Sequence, residues 1–229
     1  MNLQTIRPLV AEFVGTALFV FVGVGSVVAN AAGTSLGVLG IALAHGVGLA
    51  IVVTMTMPIS GGHINPAISV ALWLAKKIDG RTLGFYVAAQ LVGAVVGALL
   101  VKAFFPAGAS RVTSLGTPQL SGALGLFEGI ALEALFTFLL ASAVFGTAVS
   151  PQAPKVGGVA IGLSVFVCIL TGGALTGAAM NPARAFGPAL VAWDWHGQAI
   201  YWIGPVLGAA VAAALWKFVL LPRDVTDLT

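Results

Sequence analysis

Charge is the first thing this sequence lacks. Of its 229 residues only 7% are Asp, Glu, Lys or Arg, where soluble domains carry about 25%. Hydrophobic residues make up 59%, and the mean hydropathy is +1.07. Such a chain cannot cover itself with a water-compatible surface, so it belongs in a bilayer. Missing too is the period-two alternation of a membrane barrel strand; the apolar runs are long and unalternated. The fold class is therefore an all-α membrane protein. Cysteine is nearly absent: Cys168 stands alone, which excludes an internal disulfide and leaves the redox compartment unread. No nucleophile and base pair appears, and no cluster with metal-ligand spacing. An enzyme is not expected, nor a cofactor or metal. The pI of 9.4 comes from scattered Lys and Arg, which read as topology markers rather than a nucleic-acid surface.

A spanning helix needs about 20 apolar residues. Six such spans are predicted, near 9–29, 36–58, 82–104, 125–147, 156–175 and 199–219. The first follows Arg7, and "ANA" (29–31) resembles a signal-peptidase site. It is long enough to span and holds Glu12, so it is read as a retained helix. With the N-terminus inside, Arg7, Lys76, Lys77, Arg81, Lys155, Lys217 and Arg223 fall on the cytoplasmic side, and Lys102 and Arg111 outside. The positive-inside rule then places both termini in the cytoplasm. Small residues recur at helical spacing: Gly40, Ala44 and Gly48; Gly93 and Gly97; Gly158 and Gly162. They let helix backbones approach closely in lipid. Packing within one chain is the favoured reading over a dimer motif.

Two polar interruptions remain, "SGGHINPAIS" (60–69) and "GAAMNPARAFG" (177–187). The apolar segment after each is too short to cross. Asn caps a helix and Pro suits its first turn, so half-helices are predicted to start at Asn65 and Asn181. The halves match elsewhere: "AEFVGTALFVF" from Ala11 with "LEALFTFLLAS" from Leu132, pairing Glu12 with Glu133 and Thr16 with Thr137, and "AQLVGAVVGALL" from Ala89 with "GPVLGAAVAAAL" from Gly204. Three spans per copy make this an inverted repeat within a single domain over 1–229, with a first repeat over 1–110 and a second over 120–229. Inverted repeats place their site at the midplane. Irregular backbone there is tolerated where protein buries it or it lines a water-filled cavity. The half-helix N-termini, partly positive, would meet with both Asn amide NH2 groups aimed into the gap. Such donors orient a lone water, and the positive dipole ends repel protons and cations. Arg184 follows only the second Asn-Pro-Ala; a charge at membrane depth is a functional candidate by default.

"SGGHINPA", "MNPARAFGP", "AEFVGT" and the duplication resemble the aquaporin (major intrinsic protein) family over nearly the whole chain. "GGALTGAAMNPARAFGPALV" and "YWIGPVLG" are most similar to its plant tonoplast intrinsic branch. The resemblance implies six transmembrane helices plus two re-entrant half-helices, a homotetramer, and one pore per monomer. It implies pore motifs at Asn65, Pro66, Ala67 and at Asn181, Pro182, Ala183. It also implies four filter positions, found by spacing: His45, twenty residues before the first Asn; Ile169 and Ala178, twelve and three before the second; and Arg184, three after it. Strict water channels of the family have an aromatic at the first position and His at the second. Glu12 and Glu133 are implied as supports for the re-entrant loops, and His63 as a residue that orders its loop. His196 reads as a solvated loop residue. Two departures matter. Ala185 stands where glycerol facilitators carry Asp, and "GTPQLSGALG" (116–125) offers Pro118 where some relatives add a filter histidine.

The expected function is a passive channel for water and small neutral solutes (ammonia, hydrogen peroxide, and at lower rates urea or glycerol) that excludes protons and ions. The alternative is a proton-coupled transporter using Glu12 and Glu133; a third reading, a membrane-junction adhesion protein, suits poorly the short outer loops. Water, small solutes and the lipid bilayer are the expected partners. The short termini point to the cell membrane of a prokaryote.

Overall fold

The computed structural model describes residues 3–154 and 156–222. Its regular structure is helical throughout: α1 (Leu3–Ala29), α2 (Gly37–Ser60), α3 (Pro66–Leu74), α4 (Gly80–Phe104), α5 (Ala107–Val112), α6 (Leu126–Val144), α7 (Val159–Gly172), α8 (Pro182–Ala192) and α9 (Gln198–Leu215). Single π-helical turns carry α1, α6 and α9 on to Thr34, Val149 and Leu220, and with these α1, α2, α4, α6 and α9 are long and apolar enough to cross a membrane. Lys155 and Arg223, two of the topology markers, lie outside the described residues.

α7 is shorter than the span predicted over 156–175. It has 14 residues, which at 1.5 Å per residue is about 21 Å against a hydrocarbon core of about 30 Å. The adjacent Gly172 and Gly173 explain the early end, since each glycine weakens a helix by about 1 kcal/mol relative to alanine. Helical hydrogen bonding nevertheless continues in part: Gly173 N–H donates to Ile169, Thr176 to Gly172 and Gly177 to Gly173. The coil therefore runs directly into the second re-entrant loop. α5, between the halves, has no counterpart among the predicted elements.

The packing repeats itself. α1 lies on α4 as α6 lies on α9, and α1 touches α2 as α6 touches α7. Between the halves α2 meets α7, α3 packs on α9, and α8 packs on α4. Each half-helix is thus held by the last long helix of the other half. Glycines set these approaches. A Cβ on Gly93 or Gly97 would strike backbone oxygens of α1 at Phe13 and Ala17, and one on Gly158 would lie 2.5 Å from Ala50 O of α2. Gly162 meets Gly46 O in the same way. At Gly40 the three nearest atoms to such a Cβ all belong to Leu36 of the preceding turn. The half-helix C-termini are bound across the halves as well. Lys217 Nζ donates to Leu74 O of α3 at 3.0 Å, and Lys102 Nζ to Val191 O of α8 at 3.4 Å. A cation complements the negative end of a helix dipole. Outward, Leu39, Leu43, Val47, Ile51 and Met55 form an exposed apolar stripe along α2.

Candidate functional site

Both half-helices begin in the same way. Asn65 and Asn181 are extended, each followed by Pro at the first helical position. Asn65 Oδ1 accepts from Ala67 N–H at 2.9 Å. Asn181 Oδ1 accepts from Ala183 and Arg184 N–H at 3.0 and 3.2 Å. These caps satisfy donors that a helix start leaves orphaned. The amide nitrogens do something the sequence did not reveal. Asn65 Nδ2 donates to Met180 O, and Asn181 Nδ2 donates to Ile64 O, both at 2.9 Å. The loops are therefore laced to each other. One hydrogen of each NH2 is used in the lacing, and an amide carries two, so a second donor per Asn remains for the gap. Ile64 and Met180 both hold positive φ, 55° and 52°. A β-branched residue rarely adopts that conformation; here it turns the carbonyl toward the opposite asparagine.

Two fully buried carboxylates fasten the same loops. Glu12 accepts from His63 N–H at 2.9 Å, Ile64 N–H at 2.7 Å, Ser60 Oγ at 2.6 Å and Gln90 Nε2 at 2.8 Å. Glu133 accepts from Ala179 N–H at 2.9 Å, Met180 N–H at 2.7 Å and Thr176 Oγ1 at 2.7 Å. In each half the carboxylate thus receives the two N–H groups just before the Asn. A buried carboxylate tolerates its site only when its lone pairs are filled in this way.

Outside the asparagines, His45 and Arg184 face each other. His45 Nδ1 lies 2.9 Å from Ile41 O, an acceptor only, so Nδ1 carries the proton. Its Nε2 lies 3.2 Å from Arg184 Nη2, a donor only, so Nε2 is bare. The imidazole is neutral, and Phe19 meets it edge-on, the ring centroids 6.1 Å apart. Arg184 Nη1 also donates to Gly116 O at 2.9 Å. Left-handed backbone at Ser114, Leu115 and Gly116 makes the tight turn that presents this carbonyl. Arg184 is buried without an ion pair; among the described residues the recorded ion pair is the exposed His196 with Asp194. Asp194 in turn accepts from Gln119 Nε2 at 3.0 Å, beside Pro118. Hydrogen bonds from Ser114 and His196 hold its carboxyl below the usual carboxylate range.

Two cavities flank these groups. The outer one is walled by His45, Ile169, Arg184, Pro118 and Gly177. The inner one carries Asn65, Asn181 and His63 among apolar residues such as Phe19, Leu49 and Val165. Donors and apolar walls placed in this way are the features by which a pore selects what it admits.

Comparison with known proteins agrees with this geometry. The family profile described as "Major intrinsic protein" matches residues 1–216. The chain belongs to the major intrinsic protein family. It is similar to the aquaporin TIP4-4 of Zea mays, 40% identical over 241 residues, covering 97% of this chain and 93% of that one. It is 39% identical over 231 residues to the probable aquaporin TIP2-2 of Oryza sativa subsp. japonica, covering 96% and 90%. The X-ray structure of the aquaglyceroporin from Plasmodium falciparum superposes with a TM-score of 0.82 over 98% of this chain and all of that one; at 23% identity it shows the shared fold alone. Members of this family are channels rather than enzymes. The relatives are plant proteins of the TIP type and give no support to a prokaryotic cell membrane.

Within this aquaporin-like frame the predicted residues fall as follows. Asn65 and Asn181 come together, with Pro66, Ala67, Pro182 and Ala183 forming the first turns behind them. Glu12 and Glu133 lie beneath the loops. Three of the four filter positions, His45, Ile169 and Arg184, line the outer cavity. Ala178 is not among its walls, although its neighbour Gly177 is; its φ is 44° and its N–H donates to Thr176 Oγ1 at 3.1 Å. His63 bonds Ser69 Oγ at 3.0 Å through Nδ1, ordering its loop, yet it also lines the inner cavity.

A paired set of supports escaped sequence reasoning. Tyr86 donates to Ser60 O at 2.9 Å and Tyr201 to Thr176 O at 2.8 Å. Ser60 and Thr176 each reach the carboxylate of their own half. The signal was available: Ser60 and Thr176 both stand five residues before an Asn, and the chain's two tyrosines follow by 21 and 20.

Proposed function

We propose that the chain is a passive water channel that also passes small neutral solutes and excludes protons and ions. The observation that carries this reading is the meeting of two capped half-helix N-termini, laced through Asn65 and Asn181, between two cavities. A permeating water would accept from the remaining amide hydrogens, and both dipole ends repel cations. His45, Ile169 and Arg184, with Ala178 beside them, act as the outer filter. Ile169 makes one wall apolar and Arg184 supplies a fixed charge, so ammonia and hydrogen peroxide pass, and urea or glycerol more slowly. Glu12 and Glu133 are loop supports. Their lone pairs are occupied by backbone donors, which favours support over the proton-carrying alternative.

The reading extends to the whole molecule. The halves 1–110 and 120–229 form the two copies of an inverted repeat, with both termini cytoplasmic. Four chains associate, each with its own pore, and the exposed apolar stripe of α2 is available to lipid or a neighbouring subunit. Replacing Arg184 with Val tests the filter. Neutral-solute flux should rise and a cation or proton leak should appear in proteoliposomes. Unchanged selectivity without leak would remove Arg184 from the pore.

A further inference from the structure

We infer that Gly23 is a specificity-determining residue: the missing side chain on α1 sets how far back the His45 ring sits, and so sets the aperture of the outer filter. This rests on reading His45 as a filter residue. Phe19, Gly23 and Val27 recur every fourth residue and share one face of α1. Phe19 lines the inner cavity and Val27 the outer one. Between them the wall is His45 rather than an α1 side chain. A Cβ built on Gly23 would lie 2.7 Å from both Cδ2 and Nε2 of His45, and 3.2 Å from Cε1. The imidazole thus rests on bare α1 backbone.

An added methyl leaves the ring one way to go. α1 has little room to retreat, because α4 packs directly on its backbone: a Cβ on Gly97 would strike Ala17 O and lie 3.1 Å from Phe21 N, two residues before Gly23. The ring is tethered by Ile41 O at Nδ1 and by Arg184 at Nε2, and Phe19 closes its edge. The open side is the outer cavity, where Arg184 and Ile169 stand. A ring displaced there narrows the passage and disturbs its bond with Arg184.

The test compares four proteins in proteoliposomes: native, Gly23→Ala, His45→Ala and the double variant. Stopped-flow light scattering gives the ratio of urea to water permeability, or water permeability itself if urea does not pass. Gly23→Ala should lower the reading severalfold, and the double variant should match His45→Ala, because the methyl then has no ring to displace. If Gly23→Ala equals native while His45→Ala changes selectivity, the inference fails and the filter reading stands. If His45→Ala changes nothing, the filter reading itself fails. Equal losses in both backgrounds mean the methyl acts elsewhere, which also overturns the inference. Should Gly23→Ala be recovered only when His45 is also removed, the clash is shown directly; failure of both to fold contradicts it.

Discussion

Asn65 and Asn181 hold each other's loops: each side-chain amide donates, at 2.9 Å, to the carbonyl just before the other asparagine. The same side chains cap their own helices through oxygen. Replacing Asn181 with Ala removes a cap, at about 1 kcal/mol, and strands the buried Ile64 carbonyl, at about 1–3 kcal/mol more. A lowered thermal midpoint in detergent should report the sum. Asn181→Asp should keep most of the cap but put a carboxylate toward that carbonyl, so it should destabilise further and admit cations. A variant as stable and selective as native would mean that the lacing contributes nothing.

Glu133 offers a sharper energetic test. Leucine there leaves the Ala179 and Met180 N–H groups and the Thr176 hydroxyl without their acceptor. Each stranded buried donor costs about 1–3 kcal/mol, so Glu133→Leu should be poorly folded. Glu133→Gln keeps one carboxyl-like oxygen and should be intermediate in thermal stability. If Gln kept full stability but abolished solute flux driven by a proton gradient, the carboxylate would be a carrier rather than a support.

The single cysteine predicts the response to mercury. Cys168 is 2% exposed, its Sγ 3.9 Å from Phe136 O of α6, and it lines neither of the two cavities that flank the asparagines. Mercurials should block the native protein weakly or not at all. Ala178→Cys should be blocked strongly if its loop moves enough to present the thiol to the filter. Complete inhibition of the native channel would put Cys168 at the pore.

The proposed filter gives a further expectation. Ile169→His with His45→Phe exchanges the apolar and polar walls of the outer cavity. Urea and glycerol flux should fall severalfold while water flux is spared, measured in one stopped-flow series. Identical behaviour toward every larger solute would show that these two side chains do not set the aperture.

What the sequence made legible was local or duplicated. The half-helices followed from Asn-Pro at two sites, because a cap and a proline act within one turn. Glu12 and Glu133 stood out as buried charges in matching places, and Arg184 as a lone charge at membrane depth. The lacing of Asn65 to Met180 was not legible, because it joins residues 115 positions apart and depends on positive φ at Ile64 and Met180, which neither side chain advertises. Gly23 behind His45 was hidden for the same reason: a glycine announces its role only through what occupies the space it leaves. The short α7 could have been read from Gly172 and Gly173, but hydropathy ran through them. Ala178 has left-handed backbone and an N–H bonded to Thr176 Oγ1, features that spacing alone does not carry.

The most direct test of the account is osmotic shrinkage of proteoliposomes followed by stopped-flow light scattering, with and without a pH gradient. Water permeability should far exceed that of empty vesicles, show a low activation energy, rise linearly with the driving force and ignore the proton gradient. Permeability no higher than empty vesicles, or solute flux that saturates and follows the proton gradient, would contradict a passive pore between Asn65 and Asn181.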